Sequence, residues 1–342
     1  MNDVLLEVQG LRIEFPLARG TAIAARDLSF QVRAGECLAI VGESGSGKSM
    51  TCLGILDLVP PPGRVTGNVS VGGRTLTGMP ARELRRTRGD EISVIFQDPS
   101  AALNPLFTVE RQITDVIRAH RDWSKKRVRT RVVEVLEAVR FPDAVNRMRS
   151  YPHELSGGLR QRVCIAMALA CEPKVVLADE PTTNLDVGVQ AQIIDLLAEL
   201  KRQLHFAIVF VTHDLPLAQR IADRVLVMYA GHAVEAGPAG AVLVAPAHPY
   251  TIGLLRSAPR GESHQAGRLT PIPGVVPTLG STGDAAPFFG RCPVAVASVC
   301  DRAIPGWTRC GPDHLVACHR FERDGYDGTR QPEKDDAAKC TL

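Results

Sequence analysis

Apolar and polar residues alternate over positions 4–15 and 21–33 at the start of the chain. A period of two is typical of strands that bury one face, so these stretches are predicted to be antiparallel strands. Later segments contain only apolar residues, as is typical of strands covered on both faces. These segments are 37–41, 92–96, 175–178 and 207–211.

Helical patterns separate the apolar segments, at 108–149 and 190–203, and residues 69–76 resemble a hairpin around two glycines. Strands that alternate with helices predict an α/β fold with a mostly parallel sheet. After about Pro238 proline and glycine become frequent and the helical periodicity fades. We therefore predict a domain boundary near this residue, and we find no internal repeat.

The composition limits the classes of protein to which the chain can belong. With 342 residues it can form one large domain and a smaller appendage. A net charge of +3 is too balanced for a nucleic-acid binder that depends on phosphate neutralisation. No run of 18 apolar residues and no signal peptide is found. We expect a cytoplasmic protein that would serve a membrane only by docking on integral partners.

A glycine-rich loop follows the apolar segment 37–41 and precedes a predicted helix over 49–56. It fits the pattern G-x-x-x-x-G-K-[ST], in which backbone N–H groups surround phosphates, the lysine reaches the β- and γ-phosphates, and the hydroxyl binds Mg²⁺. The alternative, a flexible linker, is disfavoured by the buried strand before it. The residues predicted to bind the nucleotide here are Gly42, Ser44, Gly45, Ser46, Gly47, Lys48, Ser49 and Met50.

Two acidic residues end the apolar segment 175–178. Asp179 would emerge at the carboxyl edge of the sheet, where ligands bind in open α/β folds, and is predicted to hold Mg²⁺ through water. Glu180 would act as the general base on an attacking water. Alone, such a pair could equally be a solvated strand end, but the apolar strand before it and Pro181 after it favour the catalytic interpretation.

Gln97 and His213 each follow a predicted core strand. Gln97 could reach Mg²⁺ or the attacking water from the side. His213 could bond the γ-phosphate and hold the water of Glu180. On their own, a histidine after a strand is more often structural and a glutamine is more often solvated, so both assignments depend on the other motifs.

A second anion-binding turn precedes the predicted helix 161–170. Ser156, Gly157 and Gly158 stand at a helix N-terminus, and Gln161 follows within the helix. One ATP does not need two γ-phosphate sites in one chain, so we expect this turn to cover ATP bound by a partner subunit. An ordinary serine N-cap is the alternative.

Taken together and in order, these motifs resemble those of ABC ATPases. Over about residues 1–240 they are similar to the Walker A, Q-loop, signature, Walker B, D-loop and H-loop motifs of that family. Further segments resemble its peptide/nickel importer branch. They are 96–99, 104–105, 181–183, 248–251, 272–277, 291–293 and 316–319.

The resemblance implies a P-loop NTPase core of the ABC type. This core would have a mixed sheet, an antiparallel β-subdomain and a helical signature subdomain at about 100–170. The ATPase domain would span 1–240 and a C-terminal extension 241–342. ATP and Mg²⁺ are implied, with Ser49, Gln97 and Asp179 around the metal and Glu180, Gln97 and His213 in catalysis.

The resemblance also implies an assembly at the cytoplasmic face of the inner membrane. The chain would be a peripheral subunit that pairs with a second ATPase, homologous or identical. The pair would sit under two integral membrane permeases, with contacts from residues 98–108, and serve an extracytoplasmic solute-binding protein. Peptides are the expected cargo, and nickel, glutathione and sugars are the alternatives. No nucleic acid is expected.

The cysteines fall into two groups. Cys37, Cys52, Cys164 and Cys171 lie in apolar segments and are predicted to be buried. Cys292, Cys300, Cys310 and Cys318 cluster near the C-terminus, which in a cytosolic chain indicates metal rather than disulfides. Some family members resemble this chain in carrying four such cysteines around a [4Fe–4S] cluster, and Zn²⁺ and free thiols remain alternatives.

Two other functions compete with the importer subunit. A soluble ABC ATPase of DNA repair or translation would usually carry two cassettes or long insertions, and neither is found. A non-catalytic scaffold would use its C-terminal cysteines to bind a partner, but it would have no need of Glu180 and His213.

Overall fold

The computed structural model describes residues 3–18, 20–258, 271–277 and 283–324. They form two compact units, each made of several chain segments. Unit 1 comprises the described residues of 1–8, 30–37 and 68–211, and unit 2 those of 9–29, 38–67 and 212–342. Within the described residues no helix combines the length and apolar content that crossing a membrane requires.

Every strand predicted in the first 240 residues is found, whereas the strands Arg224–Tyr229 and His232–Pro238 were not predicted. The strands are β1 (Val4–Pro16), β2 (Thr21–Arg33), β3 (Cys37–Val41), β4 (Arg64–Val71), β5 (Arg74–Thr75), β6 (Ile92–Ile95), β7 (Val175–Asp179), β8 (Ala207–Thr212), β9 (Arg224–Tyr229), β10 (His232–Pro238), β11 (Thr308–Gly311) and β12 (His314–Val316). The predicted hairpin is β4 and β5, and β1, β2 and β4 each have residues in both units.

The helices are mostly short, and two single turns of 3₁₀ helix cover Pro152–Glu154 and Phe289–Arg291. The α-helices are α1 (Lys48–Ile55), α2 (Ala81–Thr87), α3 (Pro99–Ala102), α4 (Val109–His120), α5 (Lys125–Ala138), α6 (Ala144–Arg147), α7 (Gly157–Leu169), α8 (Val187–Leu204), α9 (Leu215–Ile221), α10 (Ala239–Val242), α11 (Pro249–Ser257) and α12 (His319–Asp324).

In unit 1, the strands β8, β7 and β6 lie side by side and run parallel. Every residue of β8 is buried, and so are the first four of β7, because helices cover strands of this kind on both faces. The helices α3 to α7 lie in the region, about 100–170, where a helical subdomain is expected. In α5, Val128, Val132 and Val135 are buried at a spacing of three to four residues, which places them on one face of the helix.

In unit 2, β3 runs parallel to β9, and β9, β10, β12 and β11 follow as antiparallel neighbours. The β10 strand ends at Pro238, the predicted boundary, yet it pairs with β12 from beyond that boundary. The fully buried Glu235 of β10 connects the residues before Pro238 with those after it. Its carboxylate accepts hydrogen bonds from the N–H groups of Ala247 (2.7 Å) and His248 (3.0 Å). It also lies 2.7 Å from Nε2 of His314 in β12.

Candidate nucleotide site

The phosphate loop, residues 42–47, connects β3 to α1 in unit 2. Two of its glycines are required by close backbone approaches. A Cβ at Gly42 would overlap the carbonyl oxygen of Met228, and one at Gly47 would overlap that of Ala24. Gly47 also has φ +99°, a conformation that residues with side chains rarely adopt. The loop therefore exposes backbone in a shape that only glycine permits at these two points.

Lys48 is buried at the start of α1, with 4% of its surface exposed. Its ammonium group donates hydrogen bonds to the carbonyl oxygens of Gly42 (2.8 Å) and Glu43 (2.9 Å) and lies 3.4 Å from the hydroxyl of Ser46. These acceptors are neutral and belong to the loop itself. Phosphate oxygens would make stronger, charge-assisted bonds to this buried ammonium group than these carbonyl oxygens do.

The other predicted residues of the loop differ in exposure. Ser44 and Gly45 are exposed, Ser46 is buried, and Ser49 and Met50 are half-buried in the first turn of α1. The predicted order of strand, glycine loop and helix is confirmed, with the helix beginning one residue before Ser49.

In unit 1, Gln97 and Glu180 are brought together. The side-chain nitrogen of Gln97 donates to Oε2 of Glu180 over 3.0 Å, although the residues are 83 positions apart. The hydroxyl of Thr183 donates to the same oxygen, also over 3.0 Å. Thr183 was not predicted to belong to the site, although it lies within the segment 181–183 that carried part of the resemblance.

Glu180 has an unusual backbone. Its φ is +45°, and its N–H donates to the carbonyl of Val211 in β8 over 3.0 Å. A left-handed residue other than glycine costs about 1–3 kcal/mol, and such strain is concentrated at functional sites. Asp179, the last residue of β7, is half-buried beside it. The strained backbone and the hydrogen bonds from Gln97 and Thr183 therefore orient the carboxylate of Glu180.

His213 is exposed directly after β8 and belongs to unit 2. The next residue, Asp214, is the N-cap of α9, and its carboxylate accepts from the N–H of Leu217 over 3.0 Å. Pro216 lies in the first turn of this helix, where proline is tolerated because the N–H it lacks has no helical partner. His213 therefore lies in the short connection between β8 and α9.

The turn before α7 is exposed at Ser156 and Gly157. The hydroxyl of Ser156 accepts from the N–H of Leu159 over 3.4 Å, so this residue is the N-cap of α7. The helix begins at Gly157, four residues earlier than predicted. Gln161 is 1% exposed, and its side-chain nitrogen has no hydrogen-bond partner among the described residues.

The segment after Glu180 packs against this turn within unit 1. A Cβ at Gly158 would lie 2.7 Å from the side chain of Val189, so glycine is needed for the approach of α8. Asp186 caps α8 through the N–H of Val189 over 3.0 Å. Asn184 has φ +68°, a conformation that asparagine adopts more readily than most residues.

The C-terminal cysteines do not form a metal centre in this structure. Cys292, Cys300 and Cys318 line one cavity of about 30 Å³. Cys310 packs instead against the cluster of Ala247, Val316 and Cys318. Burial raises the pKa of the Cys310 and Cys318 thiols.

In the described part of the chain, no group of three or more His, Cys, Asp or Glu side chains could hold a metal ion. These residues therefore give no support to the [4Fe–4S] cluster that the cysteine spacing predicted. The other four cysteines, Cys37, Cys52, Cys164 and Cys171, are buried as predicted. Burial raises the pKa of Cys164 to about 12, which keeps this thiol protonated and unreactive.

Two family models match the chain. The model described as ABC transporter matches residues 25–183, and the model described as oligopeptide/dipeptide transporter, C-terminal region, matches residues 234–300. The second match includes residues 241–300 of the predicted extension 241–342.

Curated relatives match over nearly the whole chain. The oligopeptide transport ATP-binding protein OppD of Salmonella typhimurium is 48% identical over 318 residues, which are 93% of this chain and 94% of that protein. The dipeptide transport ATP-binding protein DppD of Bacillus subtilis is 46% identical over 318 residues, 92% of this chain and 94% of that protein.

Solved structures match the ATPase part. A dimeric structure of the ATP-binding cassette MJ0796 in a post-hydrolysis state, bound to ADP and Pi, has a TM-score of 0.61 and 27% identity, and covers 69% of this chain and 99% of that chain. The structure of cbiO1 from Clostridium perfringens has a TM-score of 0.61 at 27% identity, and covers 71% of this chain and 91% of that chain.

These matches confirm the predicted family and the predicted P-loop ABC ATPase fold. The chain belongs to the ABC transporter family, in the branch of the oligopeptide and dipeptide transport ATP-binding proteins, and is an ATPase coupled to transport.

Proposed function

We propose that this chain binds and hydrolyses ATP to energise the import of peptides through an ABC transporter. The observation that carries the proposal is the 48% identity to an oligopeptide transport ATP-binding protein over 93% of the chain. The buried Lys48 in its glycine loop supplies the binding chemistry, and the match over residues 234–300 supports peptides rather than another cargo.

The phosphate loop would hold the triphosphate. Backbone N–H groups of residues 42–47 would surround the phosphates, and Lys48 would exchange the carbonyls of Gly42 and Glu43 for phosphate oxygens. Ser49, Gln97 and Asp179 would hold Mg²⁺, since hydroxyl, amide and carboxylate oxygens are the ligands this ion prefers. When bound, Mg²⁺ neutralises charge on the phosphoryl oxygens.

Glu180 would serve as the general base for an in-line attack of water. Its carboxylate takes a proton from the water as the new P–O bond forms, and the bond from the γ-phosphorus to the bridging oxygen breaks to release ADP. Gln97 and Thr183 fix the carboxylate through their hydrogen bonds to Oε2. His213 would hold the water and the γ-phosphoryl group from its position after β8.

Ser156, Gly157 and Gly158 would cover the nucleotide of a second ATPase subunit. The turn is exposed at Ser156 and Gly157, as a contact with another chain requires. MJ0796, which shares this fold, has been solved as a dimer with ADP and Pi. Gln161 is buried within α7, so in this proposal it stabilises the turn and does not contact the nucleotide directly.

The remaining partners are two integral membrane permeases and an extracytoplasmic solute-binding protein. The chain would act at the cytoplasmic face of the inner membrane, held there by the permeases. Leu106 is 78% exposed and the neighbouring Phe107 is also exposed, both within the segment 98–108 expected to contact the permeases. Exposed apolar residues next to each other are typical of protein contacts.

The division into an ATPase domain, residues 1–240, and a C-terminal extension, residues 241–342, is part of the proposal. The two family models match on either side of this boundary, except that the second begins at residue 234.

The [4Fe–4S] cluster stays a prediction. The cysteine spacing supports it, although Cys310, which packs against the cluster that contains Cys318, does not line the cavity of the other three cysteines. Iron and sulfide analysis of protein purified without oxygen, with its visible spectrum, tests it directly. A colourless and metal-free preparation with full activity would exclude the cluster.

Peptide uptake tests the proposed function. A strain that lacks this chain would be supplied with the wild-type gene or with Lys48→Ala, and the uptake of a radiolabelled tripeptide would be measured. We expect uptake with the wild type only, because without Lys48 the loop should not bind ATP. Equal uptake in both strains, or recovery of the chain with nucleic acid instead of membrane proteins, would refute the proposal.

A further inference from the structure

Glu43, the first variable residue of the phosphate loop, contacts the C-terminal extension at two points. Its carboxylate receives both terminal nitrogens of Arg291, with Nη1 2.7 Å from Oε2 and Nη2 3.0 Å from Oε1. Its backbone N–H donates to the hydroxyl of Tyr250 over 2.8 Å. Arg291 lies 248 positions later in the chain and Tyr250 207 positions later, and all three residues belong to unit 2.

The guanidinium of Arg291 is buried, with its side chain 7% exposed, and it uses its donors fully. Besides Glu43 it donates to the carbonyls of Pro273 (2.8 Å) and Ile272 (3.3 Å) and lies 3.3 Å from the hydroxyl of Tyr229. Burial alone would lower the pKa of Arg291, but the hydrogen bonds with Glu43 and Tyr229 outweigh it and raise the pKa. Arg291 is therefore charged and makes a bidentate salt bridge with the carboxylate of Glu43.

The hydroxyl of Tyr250 is fixed by aromatic packing. Its ring is fully buried, 4.6 Å from the ring of Tyr229 and 5.3 Å from that of Phe288. It lies in the first turn of α11, which His248 caps by accepting from the N–H of Tyr250 over 3.0 Å. Neither the backbone nor the ring of Tyr250 can shift without disturbing this cluster.

Glu43 links these supports to Lys48. Its N–H is held by Tyr250 and its carboxylate by Arg291, while its carbonyl oxygen accepts from the ammonium of Lys48 over 2.9 Å. The Glu43 N–H shares its peptide group with the carbonyl of Gly42, which also accepts from Lys48, over 2.8 Å. The orientation of the two peptide groups that flank the Glu43 Cα therefore influences where the lysine lies before a phosphate arrives. Tyr250 and Arg291 of the extension therefore both contact the residue whose carbonyl oxygen binds Lys48.

We propose that Arg291 and Tyr250 are positioning residues that act through Glu43 to set the affinity of the phosphate loop for a nucleoside triphosphate. The inference rests on the proposed function, since it requires the loop to bind ATP. The extension thereby becomes part of the nucleotide site without touching the nucleotide. Because coupling is reciprocal, bound nucleotide also stabilises the packing of α11 and of the segment around Arg291.

A double-mutant cycle tests the coupling. The dissociation constant of MgATP would be measured for the wild type, Arg291→Gln, Glu43→Gln and the double variant. We expect Arg291→Gln to raise it about tenfold in the wild-type background, as loss of a buried charge-assisted pair implies, and to have no effect when Glu43 is already glutamine. At saturating ATP, kcat should stay within about twofold, since the base and its donors are untouched.

Two further variants separate positioning from general stability. Arg309→Gln removes an exposed arginine of β11 and should leave the dissociation constant unchanged. Tyr250→Phe keeps the ring and removes only the acceptor of the Glu43 N–H, and should raise the constant about threefold. Tyr250→Phe also provides the test if Arg291→Gln fails to fold.

Three results would overturn the inference. Unchanged affinity in Arg291→Gln and Tyr250→Phe would show that the contacts do not act on the loop. Equal effects of Arg291→Gln with and without Glu43 would show that the arginine acts by another route. Failure of the wild-type chain to bind MgATP would overturn the proposed function itself, and with it this inference.

Discussion

The phosphate loop of unit 2 and the carboxylate group of unit 1, by which we mean Glu180 with Gln97 and Thr183, are stabilised in different ways. The loop is fixed by residues far along the chain, with Tyr250 and Arg291 on Glu43 and the backbone of Met228 against Gly42. Glu180 is oriented by its own strained backbone, by Thr183 three residues later and by one distant side chain, Gln97.

The two regions also differ in exposure. Lys48 is buried among the acceptors of its own loop, whereas Gln97 is exposed and Glu180 is half-buried. The loop is consequently part of the buried packing of unit 2, and a change there should affect folding and binding together. The carboxylate group contributes little to the core, so a change there should affect turnover alone.

The largest expected effect separates binding from turnover in the carboxylate group. Glu180→Gln keeps the size of the side chain and can still bond to Gln97 and Thr183, but it cannot accept the proton of water. We expect the rate of phosphate release to fall about 10³-fold, while the dissociation constant of MgATP stays within about threefold. Rapid hydrolysis by this variant would show that another group is the base.

Substitutions in the phosphate loop should instead lower the stability of the folded chain. Gly47→Ala places a methyl group on the carbonyl of Ala24 at φ +99°, and should lower the free energy of unfolding by about 3 kcal/mol. Gly45→Ala is the matched control, because φ is also positive there but no atom lies within 4 Å. Its cost should be about 1 kcal/mol, and equal costs in thermal melts would contradict the packing argument.

The support of the loop should also give a pH dependence. Burial, opposed by the charge of Glu235, lowers the pKa of His248 from 6.5 to about 4, so this ring is neutral in the folded chain. The unfolded chain binds the proton near pH 6.5, and the free energy of unfolding should therefore fall as the pH drops from 6.5 towards 4.

His248→Asn keeps an acceptor for the N–H of Tyr250 but does not titrate. The loss of stability between pH 6.5 and 5 should be smaller in this variant by about 1.5 kcal/mol, measured by urea unfolding at both pH values. An identical pH dependence in the two proteins would show that His248 does not remain neutral on folding.

The smallest effect tests the hydrogen bond between Gln97 and Glu180. Gln97→Ala should lower kcat about fivefold, because Glu180 loses one of the two donors on Oε2. Thr183→Val removes the other donor, and the two changes together should cost more than their sum if both donors orient the same oxygen. An unchanged kcat in both variants would show that the carboxylate needs no such orientation.

The parts of the fold with strong local patterns could be predicted from the sequence. The apolar run 37–41 and the glycines after it predicted β3, the loop and α1, because each depends on neighbours in the chain. The start of α7 was missed by four residues, since Gly157 and Gly158 have low helix propensity and lie in the first turn only because Ser156 caps it.

Contacts between distant residues could not be predicted in this way. The strands β11 and β12 span four and three residues, too short to show a period among the prolines and glycines of the extension. Nothing in the local sequence of Glu43 or Arg291 indicates that they meet, because their pairing depends on how β9, β10 and α11 pack. Gln97 and His213 were found only through the order of the other motifs.

The pairing of β12 with β10 has a practical consequence for anyone who wishes to study the ATPase part alone. A chain cut after α11 would lose His314 from the buried Glu235 and Arg291 from the loop, and β10 would present unpaired N–H and C=O groups along one side. Such a fragment should aggregate on expression even though it would retain every nucleotide motif. We therefore expect soluble recombinant protein to require the residues after α11 as well.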